Sequence, residues 1–409
     1  MKINCLDSGK SAVMTCLFLI LFSASASAQM AKDKCKFLGN VIAGSAPSDF
    51  KTYWNQVTPE NAGKWGSVES TRDVMSWTGL DLAYNYAKDN DLPFKQHTLV
   101  WGQQQPGWIG ALPAAEQKEE VEEWIKAFCE RYPETDYIDV VNEPLHAIPN
   151  YAGGLGGSGT TGWDWVIWAF EKTRAYCPNA KLILNDYNIV NNDASTDSYL
   201  HIINLLRERD LIDIIGEQGH FLETTPSATI KKNLDKLSAT GLPIHISEYD
   251  VNLADDHAQN EKYQEQFPVL WSHPGVHGVT LWGYKQNQIW REDSYLLRTD
   301  GSARPALTWL INYVETNKGG AFCDPVTGML EDGTHMEVYP SPARGGRFTL
   351  DLGAGNFDVR ILDIQGHKKK EFNVSGNEPV TVLLKEPVGM YFLQVSDGRQ
   401  TTWKKIMVN

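Results

Sequence analysis

The sequence predicts an α/β fold, a (β/α)8 barrel, followed by a small all-β sandwich. Three observations point there. From Lys36 to about Asn317, apolar strand patterns alternate with amphipathic helices, which implies a parallel sheet. Eight strand patterns occur in that stretch, and most end in polar or aromatic groups, as a barrel with a site at its mouth requires. From Thr334 the helical period disappears and short alternating segments separated by Gly, Asn, Asp and Pro take over.

The chain has 409 residues, a length that suits two domains. Lys2 and Lys10, the apolar run Ala12–Phe22 and the small residues Ala26-Ser27-Ala28 read as a secretory signal peptide over residues 1–28, cut after Ala28. No other segment is long and apolar enough to span a membrane. The barrel is expected over residues 29–323. Its strands are read at Lys36–Gly44, Tyr53–Glu60, Phe94–Trp101, Tyr137–Glu143, Lys181–Asn188, Ile214–His220, Pro243–Asp250 and Gly278–Tyr284. Between them, Val121, Trp124, Ile125 and Phe128 fall on one helix face, as do Ile230, Leu234 and Leu237. A doubly wound sheet is the alternative arrangement of the same units. The Gly-rich stretch Ala152–Gly162 reads as a flexible loop, and the acidic run "EQKEEVEE" as a solvated helix face. Residues 324–335 read as a linker, and residues 336–409 as the sandwich, with about seven strands including "RFTLDL", "FDVRILDI", "PVTVLL" and "MYFLQV".

A formal net charge of -14 argues against a nucleic-acid partner. Fourteen tryptophans and sixteen tyrosines supply flat aromatic faces that suit sugar rings as well as a core. Cys35, Cys129, Cys177 and Cys323 remain after the leader, in a context that permits disulfides. Their spacing lacks the paired look of a zinc site, and no metal site is expected. Four cysteines allow three pairings. Barrel closure favours Cys35 with Cys323. Cys129 and Cys177, at the ends of neighbouring helices, make the other pair.

The strand ends carry the chemistry. "YIDVVNEPLH" begins as a buried strand and ends in Asn142-Glu143-Pro144. Strand seven ends in Glu248. On strands four and seven of eight, the two carboxylates can face one another across the barrel mouth. Glycoside hydrolysis needs such a pair, and a separation of about 5–5.5 Å permits direct attack with net retention.

The segments "VVNEP", "HISEYD", "NQVTPENAGKW" (Asn55–Trp65), "HTLVW", "LNDYN" and "LWGY" resemble glycoside hydrolase family ten, the endo-β-1,4-xylanases, over about Lys36 to Asn317. The resemblance implies Glu143 as acid/base and Glu248 as nucleophile, with no cofactor. It implies Glu60, Asn61 and Lys64 on the sugar of the non-reducing side, and His97, Trp101 and Gln104 at the neighbouring subsite. Asn142 would bond the 2-hydroxyl of the reacting sugar, and Gln218 and His220 would surround the nucleophile. Tyr187 and Asn188 would face the leaving group, with Trp282 and Trp290 as a roof. Xylan and xylo-oligosaccharides would be the partners of a secreted monomer. An endo-glucanase of the same clan and a non-catalytic polysaccharide-binding protein are the alternatives. Gly102 stands where the family often has histidine, Gly219 replaces the usual serine before His220, and "YKQNQIW" is unlike the family's segment between the roof tryptophans. The segments "EVYPSPARGGRFTLDL", "FDVRILDIQG", "YFLQV" and "KKIMVN" resemble a C-terminal sorting domain of a Gram-negative (type IX-like) secretion route, which implies secretion machinery as a partner and an extracellular or cell-surface location. A carbohydrate-binding module is the alternative for this part.

Overall fold

The strands β1 (Phe37–Ile42), β2 (Val57–Pro59), β3 (Lys95–Val100), β4 (Tyr137–Asn142), β5 (Lys181–Asp186), β6 (Ile214–Glu217), β7 (Ile244–Tyr249) and β8 (Val276–Leu281) pair in parallel in the order β2-β1-β8-β7-β6-β5-β4-β3. A bridge from Val57 to Phe94 joins the two outer strands, and the Val57 N–H donates to the Pro93 carbonyl at 3.0 Å. The sheet therefore closes as a barrel and is not the open, doubly wound alternative. This computed structural model describes residues 29–317, 319, 336–339, 343–352, 354–363, 367–376, 378–397 and 401–408. The expected leader, residues 1–28, and the linker, residues 324–335, lie outside the described residues.

Nine helices are described: α1 (Phe50–Tyr53), α2 (Trp65–Val68), α3 (Thr78–Asp89), α4 (Ala114–Arg131), α5 (Asp164–Tyr176), α6 (Asp193–Arg207), α7 (Ser227–Ser238), α8 (Asp256–Ser272) and α9 (Pro305–Thr316). The expected stripe on α4 is fully buried at Val121, Trp124, Ile125 and Phe128, and each such side chain contributes about 1.5–3 kcal/mol. Local chemistry sets the helix starts. Asn192 accepts from the Ser195 N–H ahead of α6, and Asp255 from the Ala258 N–H ahead of α8. Pro305 opens α9, where its missing N–H costs nothing.

Three expectations need correction. Tyr53–Glu60 is not one strand. Tyr53 closes α1, the Trp54 N–H donates to the Phe50 carbonyl at 3.0 Å, and only Val57–Pro59 is extended. The helical bond captures the first residues before the sheet can. The Gly-rich stretch is not a free loop either. Ala152 and Leu155 are buried, and Asp164 accepts the N–H groups of Thr160 and Thr161. Nor is the acidic face of α4 wholly solvated. Glu120 is buried and accepts two bonds from Arg72, at 2.8 and 2.5 Å.

The C-terminal part holds β9 (Glu337–Tyr339), β10 (Arg347–Asp351), β11 (Gly355–Asp363), β12 (Lys368–Gly376), β13 (Val380–Leu383), β14 (Gly389–Ser396) and β15 (Thr401–Val408). They form two antiparallel sheets, β13-β10-β9 and β12-β11-β14-β15. Alternate residues face inward: Phe348 and Leu350 from one sheet, and Val359, Ile361 and Leu393 from the other, are fully buried. Cys129 and Cys177 are joined, with Cα atoms 5.3 Å apart. Cys35 is also disulfide-bonded. Its expected partner, Cys323, lies outside the described residues.

Candidate active site

The barrel interior beneath the mouth is polar. Lys95 on β3 pairs with Asp139 on β4 at 3.1 Å, both fully buried. Asp139 also meets His97 Nδ1 at 3.0 Å. That imidazole is thus oriented from below, and burial lowers its pKa. A paired and hydrogen-bonded arrangement is what makes buried charge tolerable.

Above this layer sit the two carboxylates. Glu248 on β7 is 4% exposed. Its Oε1 accepts from Asn185 Nδ2 at 2.7 Å, and its Oε2 lies 3.3 Å from His220 Nε2. Glu143 follows β4 directly and is 8% exposed. Its backbone takes φ of +55°, and its N–H donates to the Asn185 carbonyl at 2.7 Å. The left-handed region is uncommon for a residue with a side chain. Here it turns the chain at once and aims the carboxyl inward, and Pro144 lacks the N–H that would extend the strand. One amide network joins the two acids. Asn142 Oδ1 accepts from Asn185 Nδ2 at 2.8 Å and from Gln218 Nε2 at 3.2 Å. Gln218 Nε2 also reaches Glu143 Oε1 at 3.2 Å.

The environments drive the two acids apart. Burial raises the Glu143 carboxyl above the ordinary value, and the nearby Glu248 charge adds to this against the bond from Gln218. Burial also pushes Glu248 upward, but His97, His220 with its hydrogen bond, and the Lys95 ammonium outweigh it and hold Glu248 at about 2. One carboxyl pushed up near another held down is the separation that proton donation plus nucleophilic attack needs.

Asp250 organises the next layer. Its carboxylate meets His220 Nδ1 at 2.9 Å, Trp290 Nε1 at 3.0 Å and Arg291 Nη1 at 2.6 Å. Burial disfavours the His220 cation, yet Asp250 and Glu248 raise it to about 10. Trp290 stays half exposed, while Trp282 is buried with its ring 5.0 Å from His97. On the β2–β3 side, Lys64 donates to Asn61 at 2.9 Å and to Gln104 at 2.6 Å, and lies 5.1 Å from the Trp101 ring centre. Burial raises the neighbouring Glu60 against the pull of Lys64 and Asn61. On the β5 side, Asp186 meets His146 Nδ1 at 2.6 Å, and that imidazole stacks on Tyr187 with centres 4.1 Å apart.

Fourteen of the fifteen sequence-derived site residues therefore gather at one mouth. Asn188, two residues past β5, accepts from Asn191 Nδ2 at 3.0 Å through its Oδ1. The sequence reading gave no role to Asn185, Lys95, Asp139, Asp250 and Asp186. Asn185, Asp186 and Asp250 stand as polar groups at strand ends, and Lys95 and Asp139 interrupt otherwise apolar strands. Among the described residues Glu69, Asp73 and Glu120 could approach a common ion, but Arg72 already pairs with Glu120 at 2.5 Å.

The departures from the family pattern have local causes. At Gly102 a β-carbon would lie 2.3 Å from the Ala147 carbonyl oxygen, and the Gly102 N–H donates to that same oxygen at 3.0 Å. The chain after β4 thus occupies the space a histidine would need. Gly219 has φ of +86°, which a serine would adopt only with strain.

Paired acids at the C-terminal mouth of a (β/α)8 barrel, wired by amides and flanked by tryptophans, define a glycosidase-type site. The chain belongs to glycosyl hydrolase family 10, whose model matches residues 22–313. Residues 337–409 match a secretion system C-terminal sorting domain. The chain is 45% identical over 282 residues to endo-1,4-beta-xylanase B of Cellvibrio japonicus (strain Ueda107), covering 68% of this chain and 45% of that one. It is 26% identical over 321 residues to anti-sigma-I factor RsgI6 of Acetivibrio thermocellus, covering 75% of this chain and 40% of that one. The chain thus spans less than half the length of these two relatives. The structure of GH10 from Paenibacillus barcinonensis superposes with a TM-score of 0.64 at 22% identity, covering 70% of this chain and 97% of that one, a likeness of fold. Among the described residues no helix is long and apolar enough to cross a membrane.

Proposed function

We propose that the chain is a retaining endo-β-1,4-xylanase that cleaves internal bonds of xylan and xylo-oligosaccharides, acting as a monomer. The observation that carries this reading is the pair Glu143 and Glu248, both buried at the barrel mouth and joined through Asn142, Asn185 and Gln218. Glu248 attacks the anomeric carbon while Glu143 gives its proton to the departing oxygen, and the carbon–oxygen bond breaks. Glu143, now ionised, takes a proton from water. That water attacks the same carbon and frees Glu248. Asn142 bonds the 2-hydroxyl of the reacting sugar. Lys64, Asn61, Glu60, Gln104, Trp101 and His97 hold the sugars on the non-reducing side. Tyr187 serves the leaving group, Gln218 and His220 position the acids, and Trp282 and Trp290 cover the ring. The xylanase name of the Cellvibrio relative supports xylan as the polymer. NMR of the first-formed product should show the β anomer. An α product would reject retention, and turnover of cellulose with none of xylan would replace xylan by glucan as the substrate.

The opposed acids also predict a pH profile. Activity needs Glu248 ionised, so it falls only as pH drops toward about 2. It needs Glu143 protonated, so it falls as pH rises through that acid's elevated value. The dependence of kcat/KM should be a broad bell whose alkaline limb moves when Glu143 alone is changed. An alkaline limb unaltered in Glu143→Gln would remove it from the acid role.

The division into a leader (1–28), a barrel (29–323), a linker (324–335) and a sorting domain (336–409) belongs to the same proposal. All the proposed site residues precede Cys323. A chain ending near residue 324 should therefore keep its activity per molecule on soluble xylan while failing to leave the periplasm of its host. Normal export with lost binding to insoluble polysaccharide would make residues 336–409 a carbohydrate-binding module instead.

A further inference from the structure

Phe221 is not among the residues placed in the reaction above, yet three independent features single it out. It immediately follows His220, whose Nε2 touches Glu248. Its backbone takes φ of +58°, a region that bulky residues rarely occupy. Strain of this kind persists where the surroundings impose it, and it clusters at functional positions. Its side chain is also one of the few large apolar groups left open, at 42% exposure.

The surroundings hold that ring in place. The Arg291 guanidinium lies 4.8 Å from the Phe221 centre and is fixed by Asp250 at 2.6 Å and Glu223 at 2.8 Å. Tyr187 and Trp290 meet the phenyl ring edge-on at 5.9 and 6.0 Å. A guanidinium held by two carboxylates is a rigid backing for an aromatic face. Phe221 is therefore a fixed plate, still open, that continues the aromatic surface from Trp290 to Tyr187. It lies past β6, on the opposite side of the Glu143–Glu248 pair from the Lys64 cluster past β2. With the Lys64 cluster on the non-reducing side, that is the side on which the leaving sugar must sit.

We infer that Phe221 is a specificity-determining platform for the first sugar beyond the cleaved bond. A flat, weakly hydrated ring at that place favours the apolar face of a pyranose. The glycine-like backbone costs the protein local stability, which the retained ring turns to substrate positioning. This assignment rests on the glycosidase reading of the site but not on which backbone sugar is cleaved.

The test uses the full-length enzyme and whichever oligosaccharide, xylo- or cello-, the parent cleaves. Cleavage of the cello- series alone would overturn the xylan reading and leave the Phe221 test intact. Phe221→Gly relieves the backbone, so it should fold at least as well as the parent. It should lose on the order of ten-fold in kcat/KM on a tetrasaccharide, the scale of one aromatic contact. End-labelled pentasaccharide should be cut at a shifted bond. A glycosyl fluoride, whose small leaving group does not reach the platform, should change less than two-fold, and Phe221→Trp should restore the parent's cleavage pattern. Equal losses on oligosaccharide and glycosyl fluoride would make Phe221 a structural support of His220 and overturn the assignment. An unchanged cleavage pattern in Phe221→Gly would do the same.

Discussion

Glu248→Ala should abolish hydrolysis of every substrate, by on the order of 10⁴-fold or more, because no other group can take up the anomeric carbon. Glu143→Ala should behave differently. On xylan it should lose on the order of 10²–10⁴-fold, the worth of a positioned proton donor. On an aryl xylobioside with an acidic phenol it should lose far less, since that leaving group departs without a proton. Azide makes the two roles separable. It can occupy the space left by either missing carboxyl. Added to Glu248→Ala it should attack from the vacated side and give the α-glycosyl azide. Added to Glu143→Ala it should trap the covalent intermediate and give the β-azide. Identical anomers from the two variants would sink the assignment of roles. So would a Glu143→Ala enzyme equally crippled on both leaving groups.

Lys95→Met should be strongly destabilising. Lys95 and Asp139 face each other at 3.1 Å with 1% and 0% of their side chains exposed. Removing one partner strands the other charge in the barrel, at a cost of about 3–5 kcal/mol. The double variant Lys95→Met, Asp139→Asn should recover much of that, because it leaves no uncompensated charge. Urea midpoints of the two variants, at constant slope, provide the comparison. If the double variant is no more stable than the single, the loss comes from packing and not from charge. The same substitution bears on catalysis, since Asp139 orients His97 and the Lys95 ammonium helps keep Glu248 ionised.

How much of this was legible beforehand follows from what kind of information each feature needs. The barrel could be read because its strands are apolar, of similar length and separated by amphipathic helices. The proposed catalytic pair stands out in the sequence because Glu143 and Glu248 each end an apolar strand. Tyr53 and Trp54 could not be placed, because one turn of helix competes with a strand over the same residues. Asn185 was visible at a strand end, but its bonds to both Asn142 and Glu248 depend on the register of three strands. Asp250 joins His220, Trp290 and Arg291, which approach from different loops, and no spacing in the chain encodes that meeting. Asn188 lies in a matching motif, and its Oδ1 accepts from Asn191 Nδ2, a bond that no spacing in the chain announces.

The Cys129–Cys177 bond has a consequence for the chain before it folds. It links the ends of α4 and α5 across 48 residues, and β4, Glu143 and the turned segment after it all lie inside that loop. Such a link acts mainly by shrinking the ensemble of unfolded conformations, and a loop of this size corresponds to roughly 4 kcal/mol on the chain-entropy account. A precursor held in a reducing compartment lacks that restraint and stays easier to unfold and thread. Once its thiols meet an oxidising environment, the segment carrying Glu143 is the one whose disorder is curtailed. The barrel's resistance to unfolding is thus a property of where the protein has arrived as well as of its sequence.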